Sequence, residues 1–204
     1  LVGHSLGGIL SMMMAAKHPE LVRGVVLLDS PMLGGWKAKL LKVGKRVPGA
    51  EVFSPAAISR KRRTTWASEA EVLAHFQSKK AFAKWHPQVL QDYVKYGTHD
   101  EQTAQGTRRV LSFDRDVETA IYNTLPHNLS SLLKRHPVKC AVSFIGGTHS
   151  REMKVVGSEM TNAISKGRVM WLDGTHLFPM EKPMATAAAI EAALRNIGAM
   201  PPQD

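Results

Sequence analysis

The chain begins with Leu1-Val2-Gly3-His4-Ser5-Leu6-Gly7-Gly8, and no other segment says more about its architecture. The segment contains the pattern Gly-x-Ser-x-Gly, in which a strand ends, the backbone turns sharply and a helix begins, with the serine at the apex. Glycine flanks such a turn where a Cβ atom would collide with the neighbouring strand or helix, and we expect Gly3 and Gly7 to have this role. Ser5 is therefore predicted to expose its hydroxyl at the end of a strand.

Apolar runs alternate with helical segments on both sides of a long basic insert. Val22–Leu28 and Val138–Ile145 are mostly apolar, which is typical of strands buried on both faces of a parallel sheet. A further strand is predicted at Arg168–Leu172, and helices are predicted between the strands. This alternation predicts an α/β fold with a mostly parallel sheet flanked by helices, formed by residues 1–31 and 136–204.

The insert, residues 32–135, differs from the flanking segments in composition. It is rich in basic and aromatic residues, and its apolar residues recur with a helical period. The last helix predicted in it is a short one at Leu129–Arg135. No strand is predicted in it. We therefore expect a helical cap inserted between two strands of the α/β core.

Composition narrows the partners of the protein. The 204 residues include 27 Lys and Arg against 17 Asp and Glu, a net charge of +10, which bears on solubility and on steering of anions more than on fold. No zinc-ligand spacing or RNA-binding motif accompanies the charge, so nucleic acid is not an expected partner. No apolar stretch is long enough to span a membrane. Cys140 is the single cysteine, which fits a reducing compartment, and a cytoplasmic location is predicted.

A serine nucleophile needs a base within hydrogen-bond reach and an acid that orients the base. In an open parallel sheet such groups meet at the carboxyl ends of the strands. Ser5 follows the first predicted strand, Asp29 the second and His176 the last, and the order Ser, Asp, His is the one associated with this type of turn. We predict that these residues form a catalytic triad, and that the backbone N–H of Leu6 contributes to an oxyanion hole.

Other residues compete for two of these roles. His149 follows a strand and is the competing histidine. Glu152 and Asp173 are competing acids, although Glu152 suits the first turn of the helix that follows it and Asp173 suits a turn. Asp29 is favoured because it ends the strand beside Ser5.

Three stretches together resemble the α/β-hydrolase family, in particular its lid-bearing bacterial serine esterases. They are Gly3-His4-Ser5-Leu6-Gly7-Gly8, Leu27-Leu28-Asp29-Ser30-Pro31 and Gly174-Thr175-His176-Leu177-Phe178-Pro179-Met180-Glu181-Lys182-Pro183. Many members of the family carry the acid after the strand here at Val138–Ile145, where this chain has no Asp. Some esterases carry it after the strand that follows the nucleophile, which agrees with Asp29.

The resemblance implies a serine hydrolase that cleaves a carboxylic ester or thioester through an acyl-enzyme intermediate, with no metal or organic cofactor. A lactone, an amide and a carbon–carbon bond remain alternative substrates. A non-catalytic binding module on the same scaffold is the alternative from another class, because fold does not imply function. The family fold has several strands before the strand that leads into the nucleophile, and none of those is present here. We therefore expect a portion of a longer protein, unstable and weakly active alone, in which the first strand is an exposed apolar edge. The second oxyanion donor is expected on a loop upstream of this sequence.

The resemblance also implies that the cap covers an acyl pocket. Trp36 and Trp66 are predicted to contact the substrate, although packing between cap helices is an equally simple role for such aromatic residues. The run Arg60-Lys61-Arg62-Arg63 is either a solvated helix start or a contact for an anionic substrate such as an acyl-CoA.

Overall fold

The computed structural model describes residues 1–32, 55–126 and 128–200. The chain divides into two compact units, Leu1–Gly44 with Pro126–Asp204, and Lys45–Leu125. The strands of the described residues are β1 (Val2–His4), β2 (Gly24–Leu28), β3 (Thr65–Trp66), β4 (Thr98–Thr103), β5 (Gly106–Leu111), β6 (Ala141–Gly147) and β7 (Val169–Leu172). The α-helices are α1 (Leu6–Lys17), α2 (Pro55–Arg60), α3 (Glu69–Gln77), α4 (Pro87–Gly97), α5 (Arg115–Asn123), α6 (Leu129–Arg135), α7 (Arg151–Val156), α8 (Glu159–Ser165), α9 (Phe178–Glu181) and α10 (Pro183–Asn196).

The first unit is built on a four-stranded sheet in the order β1-β2-β6-β7. Every neighbouring pair is parallel, as the registers Val2 to Val26 and Leu27 to Phe144 illustrate. The predicted parallel α/β architecture is therefore confirmed. The carboxyl ends of all these strands lie at the same end of the sheet, where the predicted site residues follow them.

The burial of strand β2 on both faces explains why apolar and polar residues do not alternate in its sequence. All of its residues are buried. Val25 and Leu27 pack on one face of the sheet with Met12 of α1, while Val26 and Leu28 pack on the other face with Phe178. Because both faces are covered by helices, apolar side chains are favoured at every position, and each buried one stabilises the fold by about 1.5–3 kcal/mol.

The second unit contains strands, so the prediction of a purely helical insert is wrong. Strands β3, β5 and β4 form an antiparallel sheet in that order, and β4 and β5 form a hairpin whose turn includes Gly106 at a φ of 112°. The hairpin is mostly polar and solvent-exposed: Thr98–Thr103 reads Thr-His-Asp-Glu-Gln-Thr. Without an apolar face it lacks the period-two signal by which a strand is recognised.

The end of the predicted insert also differs from the structure. Helix α6 was placed in the insert, which was predicted to end at residue 135, but Leu129 of this helix is buried in the same cluster as Met12 of α1. The helix belongs to the first unit, which resumes at Pro126. No helix among the described residues is long and apolar enough to span a membrane.

Candidate active site

Ser5 lies at a sharp turn between β1 and α1. Its φ of 52° and ψ of −119° are rare for a residue with a side chain. The turn is held by the N–H of Ser5, which donates to the carbonyl of Leu28 at 2.9 Å. Ser5 is half-buried and its hydroxyl faces the carboxyl end of the sheet, so the backbone conformation presents the side chain where a nucleophile is needed.

The glycines around this turn have unequal roles. A Cβ on Gly3 would lie 2.4 Å from the carbonyl carbon of Gly7, and one on Gly8 would lie 1.9 Å from Oγ of Ser30. At Gly7 no described atom lies within 4 Å of the Cβ position, apart from its chain neighbours and the nearby backbone of its own helix. The prediction that a side chain at Gly7 would collide is therefore wrong. Gly3 lies close to the helix backbone at Gly7, so glycine is needed at Gly3. Gly8 is the second position that needs glycine.

The three residues predicted to form a triad lie in one line of hydrogen bonds. Nδ1 of His176 is 2.6 Å from Oδ2 of Asp29, and Nε2 of His176 is 3.0 Å from Oγ of Ser5. Because a carboxylate only accepts, Nδ1 carries the proton and Nε2 of the neutral ring is free to accept the Ser5 hydroxyl. The Asp29 side chain is fully buried and that of His176 is 16% exposed. The line can therefore move a proton from Ser5 to His176.

The Asp29 carboxylate accepts two further hydrogen bonds, one from the last residue of β6 and one from the loop that follows it. The N–H of Gly147 donates to Oδ1 at 2.8 Å, and the hydroxyl of Ser150 donates to Oδ2 at 2.6 Å. Ser150 is a residue that sequence reasoning missed. Its only sequence signal is its place at the N-terminus of a predicted helix, where serine is a common cap.

Glu152 lies close to the triad without taking the place of Asp29. It is exposed in the first turn of α7, and donor atoms of Asp29, Glu152 and His176 lie within 4.8 Å of one another. His176 makes its hydrogen bond to Asp29. A metal bound to His176 would have to displace a contact of the triad, because both of its ring nitrogens already make hydrogen bonds, to Asp29 and to Ser5.

His149, the competing histidine, lies away from Ser5 in a separate network. Its Nε2 donates to Asp173 at 3.1 Å, and its side chain is 62% exposed. The hydrogen bond from Lys182 and the positive charge of that residue hold the pKa of Asp173 below its usual value. Asp173 thus pairs with His149 and Lys182, whereas the acid that His176 contacts is Asp29.

His4 supports the loop that carries His176. Its Nε2 donates to the carbonyl oxygen of His176 at 2.7 Å, and the two ring centroids are 4.8 Å apart. Burial lowers the pKa of His4, which favours the neutral ring. A neutral His4 can donate this bond without adding a positive charge beside His176.

Glu181 holds the same loop from its other side. Its Oε2 accepts from the N–H of Thr175 at 2.9 Å, and its Oε1 accepts from the hydroxyl of Thr175 at 2.5 Å. The hydroxyl of Thr175 in turn accepts from the N–H of Leu177 at 3.1 Å. The residues on both sides of His176 are thus fixed, which limits the positions that the imidazole can adopt.

The arrangement is that of a known family: a serine at a strand–turn–helix, an acid after the next strand and a histidine after the last strand. The model of the alpha/beta hydrolase fold matches residues 1–112. The chain belongs to this family. No curated protein sequence matches the chain significantly.

Solved alpha/beta hydrolases share the fold at low sequence identity. A peroxisomal alpha-beta-hydrolase from Saccharomyces cerevisiae is 16% identical with a TM-score of 0.66, and the match covers 100% of this chain and 55% of that protein. The thioesterase domain from the curacin biosynthetic pathway is 16% identical with a TM-score of 0.65, covering 94% and 65%. An esterase from M. tuberculosis is 18% identical with a TM-score of 0.61, covering 95% and 61%. The chain thus spans between 55% and 65% of these structures.

In this alpha/beta hydrolase the predicted oxyanion donor, Leu6, is the first residue of α1. The N–H of a first-turn residue has no partner within its own helix, and the helix dipole gives that end a partial positive charge. Leu6 therefore offers a donor directly beside Ser5. This position fits the predicted role, which stays a prediction.

The two tryptophans predicted to bind substrate differ in what the structure says of them. Trp36 lies outside the described residues. Trp66 is 2% exposed in the core of the second unit, where it packs with Val72 and Phe76. This environment accounts for Trp66 as a packing residue, and its contact with substrate stays a prediction.

Proposed function

We propose that the protein is a serine hydrolase that cleaves a carboxylic ester or thioester through an acyl-enzyme intermediate. The observation that carries the proposal is the hydrogen-bonded line from Ser5 through His176 to buried Asp29. A second support is the fold, which the chain shares with structures named an esterase and a thioesterase domain. The lone, half-buried Cys140 accords with the further proposal of a cytoplasmic location.

Acylation begins at Ser5. Its Oγ attacks the carbonyl carbon of the substrate while Nε2 of His176 accepts the hydroxyl proton. Asp29 stabilises the imidazolium that forms. The N–H of Leu6 donates to the developing oxyanion, an interaction worth about 10²–10³ in turnover for a single donor.

The acyl-enzyme then forms and breaks down by the same groups. His176 gives its proton to the departing alcohol or thiol, and the carbonyl is restored as an ester of Ser5. A water molecule enters, His176 accepts its proton, and the hydroxide attacks the acyl carbon. Collapse of this second intermediate returns the proton to Ser5 and releases the carboxylic acid.

The experiment is hydrolysis of p-nitrophenyl esters of graded chain length and of acyl-CoA by the full-length protein. The proposal predicts turnover of at least one series and its loss in Ser5→Ala. Ser11→Ala is the matched control, because Ser11 lies in α1 and its hydroxyl donates to the carbonyl of Gly7. Turnover that survives in Ser5→Ala would contradict the proposal. Turnover of esters without thioesters would remove the acyl-CoA alternative.

A further inference from the structure

The loop after β6 lacks an acid of its own and instead binds the acid that follows β2. Gly147, the last residue of β6, and Ser150, at the end of this loop, both donate to the Asp29 carboxylate, although Ser150 is 121 positions from Asp29 in the chain. We propose that Ser150 is a positioning residue that fixes the Asp29 carboxylate in the orientation from which it accepts the His176 proton. The inference rests on the proposed function, because it concerns the same triad.

The hydrogen bonds determine where the Ser150 proton points. The N–H of Met153 donates to Oγ of Ser150 at 3.1 Å, which caps helix α7. The Asp29 carboxylate, 2.6 Å from the same Oγ, only accepts. The single hydroxyl hydrogen therefore points at Asp29, and the cap holds the hydroxyl in that direction.

Each oxygen of Asp29 is held by a donor from the end of β6 or from the loop that follows it. Oδ1 accepts the Gly147 N–H at 2.8 Å, while Oδ2 accepts from Ser150 and from Nδ1 of His176, both at 2.6 Å. Asp29 is completely buried and Ser150 is 1% exposed. Rotation of the carboxylate would leave buried polar atoms without partners, which is costly, so its plane is fixed relative to the imidazole.

Removal of the Ser150 hydroxyl should act on the chemical step. Oδ2 would keep only the bond from His176 and Oδ1 only the bond from Gly147, so the plane of the carboxylate would be fixed less firmly. His176 would then be oriented less often toward Ser5. Because Ser150 donates to Asp29 and not to a bound substrate, kcat should fall while KM changes little.

Ser150→Ala is compared with Ser68→Ala as a matched control. Ser68 caps helix α3 by accepting the N–H of Glu71, so it has the capping role of Ser150 without a contact to Asp29. The rate at which a fluorophosphonate labels Ser5 is measured on the folded fraction, with kcat and KM for an ester. We expect Ser150→Ala to lower the labelling rate and kcat about tenfold, Ser68→Ala to leave both unchanged, and Ser150→Thr, which keeps a hydroxyl, to stay close to the unmodified protein.

A double-mutant cycle with Asp29→Ala separates positioning from a structural effect. If Ser150 acts through the carboxylate, Ser150→Ala should slow labelling no further once Asp29 is removed. Labelling at the unmodified rate in Ser150→Ala, or the same tenfold loss in the Asp29→Ala background, would overturn the inference. Absence of labelling in the unmodified protein would instead contradict the proposed function.

Discussion

Oγ of Ser5 lies 3.0 Å from Nε2 of His176, although the two residues are 171 positions apart in the chain. Ser5 follows β1 and His176 follows β7, and these strands are at opposite edges of the four-stranded sheet. The loop after β7 must therefore cross the carboxyl ends of β6 and β2 to reach Ser5. The residues that this loop passes over therefore help to determine whether His176 reaches Ser5.

The loop passes close to the backbone of Gly147. A Cβ at this position would lie 2.4 Å from the carbonyl oxygen of Thr175, which is backbone and cannot turn aside. Gly147→Ala should displace the histidine loop and lower kcat about a hundredfold or more, since small misplacements of catalytic groups have effects of that size. Gly97→Ala is the control, because a Cβ there would lie 3.7 Å from the Tyr93 ring, an ordinary van der Waals distance. Equal ester hydrolysis by both variants would contradict this account of the loop.

Substitution of the adjacent glycines of α1 should separate a position that needs glycine from one that does not. In Gly8→Ala the new Cβ meets Oγ of Ser30 at 1.9 Å, and we expect a loss of about 1–3 kcal/mol in the free energy of unfolding. In Gly7→Ala no described atom is in the way, and alanine is favoured over glycine in a helix by about 1 kcal/mol. Thermal unfolding should show Tm lowered in Gly8→Ala and unchanged or raised in Gly7→Ala. The reverse order would show that the turn packs differently.

Replacement of each histidine by glutamine distinguishes the two candidates for the base. His176→Gln should lower kcat at least about a thousandfold, because no other described side chain accepts the proton of Ser5. His149→Gln should change kcat less than about twofold, because the 62% exposed His149 pairs with Asp173. Steady-state ester hydrolysis measures both. A large loss in His149→Gln would mean that the separate network takes part in the reaction.

The sequence predicts the three triad residues because each directly follows an apolar strand, and parallel strands end at one edge of a sheet. Ser150 is not predictable in this way, since its role depends on a contact with Asp29 across 121 positions. Strand β4 of the second unit is not predicted for a different reason. Thr98–Thr103 is polar and mostly exposed, so it pairs with β5 without showing an alternating apolar pattern. The choice between Gly7 and Gly8 depends on the Ser30 side chain, which the Gly-x-Ser-x-Gly pattern does not contain.

Protonation of His4 should make the fold less stable in mild acid. Burial lowers the pKa of His4 from its usual value of 6.5, so the unfolded chain binds this proton more readily than the native protein. The stability that this group contributes is complete above about pH 6.5 and is lost as the pH falls toward the lowered pKa. Urea unfolding at about pH 8 and about pH 5.5 should show a smaller free energy of unfolding at the lower pH.

Two variants test whether His4 causes this dependence. His4→Gln should show a smaller difference between the two pH values, because the buried titrating ring is absent. His136→Gln, an exposed position at the end of α6, should keep the difference seen in the unmodified protein. If His4→Gln keeps the full difference, another group is responsible for the acid sensitivity.

Covalent labelling of Ser5 tests the central claim most directly. The full-length protein is incubated with a fluorophosphonate, and the modified peptide is identified by mass spectrometry. The account predicts one adduct, on Ser5, that is absent in Ser5→Ala and much slower to form in His176→Gln. A protein that takes up no label, or that is labelled on another serine, would contradict the assignment of Ser5 as the nucleophile.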